Sequence, residues 1–260
     1  MRSKFLMLMV LGVLLSVPGF AFDLGGKKVD VTLSSSVVSR YIWRGQDLYA
    51  NNDGAYQPSV DVVVEDIFSD VDLGFNVWGS FPLNKGHEDL EELDYTMSLS
   101  KDLTDSISLS LGYTYFDYPN TGKTADVQEP WMSLGFGKIP GLGIDITPSI
   151  FLGYDMEAAS GGIDAGWYYS FGFDTELPFP QCALFKQGQT LAISVVNWGN
   201  DGVADLKPSF VYATDIGFST TYDLGQFSVT PSFHYVLNYE DEINSGNDET
   251  WAGIEIAYAF

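Results

Sequence analysis

Residues 29–44, VDVTLSSSVVSRYIWR, alternate between apolar and polar side chains. Val29, Val31, Leu33, Val37, Tyr41 and Trp43 fall on one side of an extended chain. Asp30, Thr32, Ser34, Ser36, Arg40 and Arg44 fall on the other. Successive side chains of a strand point to opposite faces, so a period of two predicts a strand with one oily and one hydrophilic side. An amphipathic helix would instead repeat its apolar positions every three to four residues.

The same period recurs along the chain. At 57–65, Val60, Val62 and Val64 oppose Gln57, Ser59, Asp61 and Glu65. At 71–81, Val71, Leu73, Phe75, Val77 and Phe81 oppose Asp72, Asn76 and Ser80. Nine further runs cover about 91–101, 106–118, 129–138, 143–157, 165–176, 189–198, 206–223, 226–240 and 249–260. The runs total twelve. Most exceed the usual strand length of about 5–6 residues and reach the roughly 9–11 that a tilted membrane-spanning strand needs.

Connections also alternate. EDIFSD (65–70), KDLTDS (101–106), KIPGLG (138–143) and DLGQ (223–226) are tight. Longer acidic or Gly/Asn-rich segments follow the odd runs, for example QDLYANNDGA and LNKGHEDLEE. Short turns on one side and long loops on the other build an outer-membrane barrel with both termini in the periplasm. The long connection 177–188, LPFPQCALFKQG, breaks this pattern. A soluble barrel would fill its interior with aliphatic side chains. Here the second face is Ser, Thr, Gly and charge, so that face must look inward and the oily face must meet lipid. The expected fold is a transmembrane antiparallel up-and-down β-barrel of twelve strands, forming a single domain over 22–260.

Both ends agree with that reading. The opening MRSKFLMLMVLGVLLSVPGFA has Arg2 and Lys4 before an apolar run, then Pro18, with Gly19 and Ala21 before a cut at Phe22. This predicts a signal peptide over 1–21. The run is shorter than the roughly 20 residues of a spanning helix. In the closing WAGIEIAYAF, Ile254, Ile256, Tyr258 and Phe260 share one face. A terminal aromatic strand of this kind is expected to engage the barrel assembly machinery through Tyr258 and Phe260. Lipid-face aromatics are expected in two girdles. Trp43, Phe81, Tyr115, Tyr154, Trp167, Tyr212 and Tyr239 form the extracellular one, and Phe136, Phe173, Phe227, Tyr258 and Phe260 the periplasmic one.

The chain carries 12 Lys and Arg against 35 Asp and Glu. Losing Arg2 and Lys4 with the leader would move its formal charge from −23 to −25. Such an acidic surface excludes charge-driven binding of nucleic acid. Cys182 is the only cysteine, so no intrachain disulfide is possible, and His87 and His234 are the only histidines. No metal site and no cofactor are expected, and the acidic loops match no EF-hand spacing. Neither histidine has a local Ser and Asp to make a hydrolytic site, so no catalytic residues are assigned.

Beyond the leader, Arg40 and Arg44 are the only arginines. The period of two places both on the inner wall, about 13 Å apart at ~3.3 Å per residue. Pore-lining candidates are Arg40, Arg44, Asp61, Glu65, Asp72, Asp94, Asp215 and Glu255. The arginines could neutralise wall carboxylates and tie strands together. They could also stand as a positive ladder facing an acidic wall, orienting a solute at the constriction. Trp78, Trp198 and Trp251 share the inward parity near the extracellular ends and are candidates for a stacking surface at the mouth.

The stretch VVSRYIWRGQDLYANNDGAYQPSVDV (37–62) resembles the N-terminal signature of the TorF-like porin family. The matching positions are Ser39, Arg40, Tyr41, Arg44, Gly45, Gln57 and Pro58. The resemblance implies a proteobacterial outer-membrane protein of porin type, and it implies neither a substrate nor catalytic residues. The expectation is thus a monomeric channel, not an enzyme, in a Gram-negative outer membrane. It would pass small polar solutes, with a preference for cations, among outer-membrane lipids and lipopolysaccharide. The alternatives are a closed barrel with a structural or adhesive role and, less favoured, a barrel enzyme.

Overall fold

The computed structural model describes residues 22–260 apart from 24, 50–52, 122–124, 140–144, 157–163, 180–188 and 204–205. The leader, Cys182 and most of the 177–188 connection lie outside the described residues. Twelve long strands carry the fold: β1 Lys28–Val38, β2 Ala55–Val64, β3 Asp72–Pro82, β4 Glu92–Thr104, β5 Ile107–Asp117 and β6 Val127–Phe136. The rest are β7 Ile146–Asp155, β8 Gly166–Pro178, β9 Thr190–Asn200, β10 Ser209–Ser219, β11 Phe227–Asn238 and β12 Glu249–Ala259. Each pairs antiparallel with its successor, and β12 pairs back onto β1 with Gly253 opposite Val38. Closure leaves no sheet edge, as a strand structure in hydrocarbon requires. Among the described residues no helix is long and apolar enough to cross a membrane.

The alternation of the sequence becomes the two faces of this wall. Met97, Leu111 and Ile254 stay 53%, 49% and 55% exposed on the outside. In an interior-cored barrel such side chains would be the buried ones. The inner face runs through hydroxyl ladders, including Thr96 to Thr114 and Ser100 to Ser110, both at 2.9 Å. At one rim, Lys28 joins Asp30 at 2.8 Å and Glu65 at 2.6 Å.

Strand one corrects the expectation for 29–44. It ends at Val38, and the chain then turns into the lumen. Ile42–Trp43 and Gln46–Asp47 pair there as a small hairpin. Trp43 is therefore an interior side chain and not part of the lipid-facing girdle. Two residues lie between the paired segments, Arg44 at φ 49° and Gly45 at φ 83°. Positive φ at both is what a two-residue type I′ turn demands. A Cβ on Gly45 would lie 2.5 Å from Cβ of Ala213, so nothing larger fits.

Tyr212 is also reassigned. The β9–β10 register shifts between Trp198 and Asn200, which takes residues 210–212 out of regular alternation. A bulge changes which way side chains point. Tyr212 is fully buried in the interior, while Phe210 is 74% exposed and packs on Tyr169 and Phe171.

Candidate functional site

Residues 39–49 occupy the upper lumen, and their side chains reach the wall from β3 to β12. Tyr41 donates to Glu92 on β4 at 2.8 Å and packs on Trp78 of β3. Burial, and then the Glu92 carboxylate, push the Tyr41 hydroxyl well above its usual range, so it remains a donor. Tyr49 donates to Ser80 at 2.8 Å. Trp43 meets Phe116 of β5 and Tyr168 of β8 edge-on, with centroids 5.9 and 5.4 Å away.

Arg44 sits at the tip. Its guanidinium takes Glu129 on β6 in two contacts, Nη2 to Oε1 at 2.8 Å and Nη1 to Oε2 at 2.6 Å. Both side chains are almost fully buried. The cation is enclosed by Trp43 at 4.1 Å, Tyr168 at 4.6 Å, Phe151 at 5.1 Å and Trp198 at 5.5 Å. A planar, weakly hydrated guanidinium suits such a cage, pairing in its plane and stacking on its faces. Gly153 makes the room, because a Cβ there would lie 2.5 Å from Glu129 Oε2. Tyr212 donates to the Arg44 carbonyl at 2.8 Å. From the last loop, Asn244 accepts from the Asp47 amide at 2.8 Å and donates to the Gly45 carbonyl at 2.9 Å.

Arg40 pairs with Glu249 of β12. The two arginines do not form a ladder on strand one. Each is matched to a carboxylate on another strand, because the chain leaves the wall at residue 39. Of the other candidates, Asp61 receives Asn76 at 2.6 Å and Ser59 at 2.9 Å on the inner wall. Glu65 and Asp72 sit at the rim with β2 and β3, Asp72 receiving the Asp66 amide at 2.9 Å. Asp94 lies beside Arg40 and Trp78, whereas Glu255 lies lower. Trp78 and Trp251 line one cavity, and Trp198 belongs to the Arg44 cage. The three tryptophans are not one surface.

His234 differs from the lone wall residue that local sequence suggests. Its Nδ1 lies 2.9 Å from Asp215 Oδ1 across the sheet, and its ring stacks on Trp251 at 3.8 Å and 9°. Cross-strand register, Gly217 opposite His234 and Val236 opposite Asp215, brings these groups together. Sequence reasoning also missed Glu92 and Glu129, whose partners Tyr41 and Arg44 lie in the inward segment. The Arg44-Gly45 turn signal inside a run with strand-like period was the available clue.

Below the segment, two cavities adjoin. The upper, about 380 Å³, is lined by Arg40, Tyr41, Trp43, Gln57, Asn76, Trp78, Asp94, Thr96 and Trp251. The lower, about 400 Å³, is lined by Ser36, Gln57, Asp174, Ser194, Ser219, Thr230, Ser232, His234, Trp251 and Glu255. Val38, Gln57 and Trp251 line both. Among the described residues no group of three or more His, Cys, Asp or Glu is placed to hold a metal.

A closed twelve-strand wall, oily outside and hydrophilic inside, with a loop folded into its lumen, defines a porin-like outer-membrane barrel. Solved structures agree on the fold. The chain is similar to LpxR from Salmonella typhimurium at 10% identity and TM-score 0.51, covering 87% of this chain and 99% of that one. It is similar to the NanC porin at 11% identity and TM-score 0.51, covering 88% and 98%. It is similar to the COG4313 outer membrane channel from Pseudomonas putida F1 at 10% identity and TM-score 0.52, covering 90% and 95%. No family model matches the sequence, and no curated protein matches it.

Proposed function

We propose that the protein is a monomeric channel of a Gram-negative outer membrane that passes small polar solutes and prefers cations, with its extracellular half narrowed by the inward segment 39–49. The observation that carries this reading is the pair of adjoining cavities below that segment, lined by charged and polar side chains alongside aromatic and aliphatic ones. Of the side chains lining them, Arg40 and His234 are the basic ones, and each is held by a carboxylate. Asp94, Asp174 and Glu255 supply negative charge to the same spaces. A low-dielectric wall focuses that field along the path and favours cations. The SRYIWRG…QP signature supports membership of the TorF-like porins. The oily exterior suits lipid and lipopolysaccharide, and Tyr258 and Phe260, ring centroids 4.6 Å apart, are the surface offered to the assembly machinery.

Single-channel recording of the refolded protein tests this reading. Stepwise conductance with a cation-selective reversal potential is expected; no current from folded protein overturns it. A second reading, a closed structural or adhesive barrel, draws on the caged Arg44–Glu129 pair, which fixes the segment across the whole lumen. We assign no catalytic step, and His234 with Asp215 serves as wall; hydrolysis of ester or peptide substrates by pure protein would overturn that.

A further inference from the structure

We infer that the upper cavity is a binding site for a small organic cation, an alkylammonium or quaternary ammonium solute. This rests on the channel reading and names its solute class. The cavity, about 380 Å³, is lined by four aromatic side chains from two sources: Tyr41 and Trp43 from the inward segment, Trp78 and Trp251 from the barrel. Aromatic faces carry the negative side of the ring quadrupole, and a cage of them is the usual receptor for an ammonium group. Asp94, Asn76, Thr96 and Gln57 complete the lining, with Asp94 beside Trp78 in cross-strand register.

A second, independent observation points to the ligand's charge. Oδ1 of Asp94 is buried and accepts from no amide, hydroxyl or cationic donor among the described residues, and its carboxyl lies against the buried carboxyl of Glu92. Two buried carboxyls in contact can share one proton but still hold negative charge at a cost, and a bound cation would compensate the pair. Arg40 does not compensate it, being paired with Glu249. An anion would face Asp94, and Glu92 two residues away on the same side of the strand. A neutral sugar could stack but would leave the charge of that face unbalanced. Size also fits, since small-molecule pockets span roughly 300–1,000 Å³. The lower cavity, with Asp174 and Glu255, opens the approach from the opposite end, and Trp251 stands between the two spaces.

The test is a titration of the folded barrel in detergent with choline chloride at constant ionic strength, read by tryptophan fluorescence. Saturable quenching by choline is expected, with none from sodium, acetate or glucose. Asp94→Asn and Trp78→Leu are expected to weaken it about tenfold or more. Trp78→Phe, which keeps a ring, should retain most of it, and Glu242→Gln in the last loop should leave it unchanged. Heat-modifiable gel migration reports that each variant is folded. Saturable quenching by glucose or acetate in place of choline overturns the inference, as does equal choline binding by wild type and folded Asp94→Asn. Binding needs no current, so a barrel that conducts yet ignores choline loses this site alone. A barrel that binds choline without conducting keeps the site and loses the channel.

Discussion

The Tyr212 hydroxyl donates to the carbonyl of Arg44 at 2.8 Å, tying the tenth strand to the tip of a hairpin 168 residues earlier in the chain. The bond is possible because two local irregularities meet. The β9–β10 bulge turns Tyr212 inward, and the Arg44-Gly45 turn carries the hairpin across the lumen. On the far side of the same turn, Glu129 holds the guanidinium. The inward segment is thus clamped at its tip by backbone and side chain at once.

Removing the guanidinium leaves Glu129 buried without its cation. Breaking a buried pair from one side costs about 3–5 kcal/mol, and here the strain is relieved most easily by expelling the segment, since the wall has its own ladder. Arg44→Ala is expected to raise single-channel conductance, with the barrel still heat-modifiable. Arg44→Lys should behave similarly, because a point ammonium can neither pair bidentately nor stack. Conductance equal to wild type in both would mean that the pair does not hold the constriction.

Gly45→Ala tests the same clamp without changing any charge. The residue has φ 83°, and the new methyl would meet Ala213. Left-handed backbone for a residue with a Cβ costs on the order of 1–3 kcal/mol, and the clash adds to it. Faster switching between conductance levels is expected, with selectivity unchanged. Restoring quiet channels by Ala213→Gly in the same chain would locate the effect at that contact.

Neutralising the lower cavity should reach selectivity and leave the constriction alone. Asp174→Asn with Glu255→Gln removes two carboxylates from the lumen wall. A reversal potential displaced toward zero in a salt gradient is expected, most clearly at low ionic strength, where the screening length is longer. Identical cation preference in the double variant would assign selectivity to the loops.

The twelve strands were legible because lipid outside and water inside impose a strict period of two on every run, and one run suffices to read it. The limits of that rule are equally physical. From Arg40 to Arg44 the alternation continues, yet these residues leave the sheet, because an aromatic and guanidinium surface can be buried by a lumen as well as by a membrane. Tyr212 was misread for a related reason: parity does not survive a bulge. The His234–Asp215 and Arg44–Glu129 pairs needed register and a loop path, neither of which is written in local sequence.

Leu111 discriminates a lipid-facing exterior from any interior core. It lies mid-strand on β5, half exposed on the oily side. If hydrocarbon surrounds it, Leu111→Arg costs about 2–4 kcal/mol near the bilayer midplane. Leu111→Ala then costs little, because no protein cavity is created. In a protein core the alanine variant alone would cost about 2–5 kcal/mol. Denaturant titration of the barrel folded into lipid vesicles reads both. The expected order is wild type close to Leu111→Ala and well above Leu111→Arg. A large loss in Leu111→Ala would place that face against protein and reverse the assignment of inside and outside on which the arginine clamp and the acidic lumen both depend.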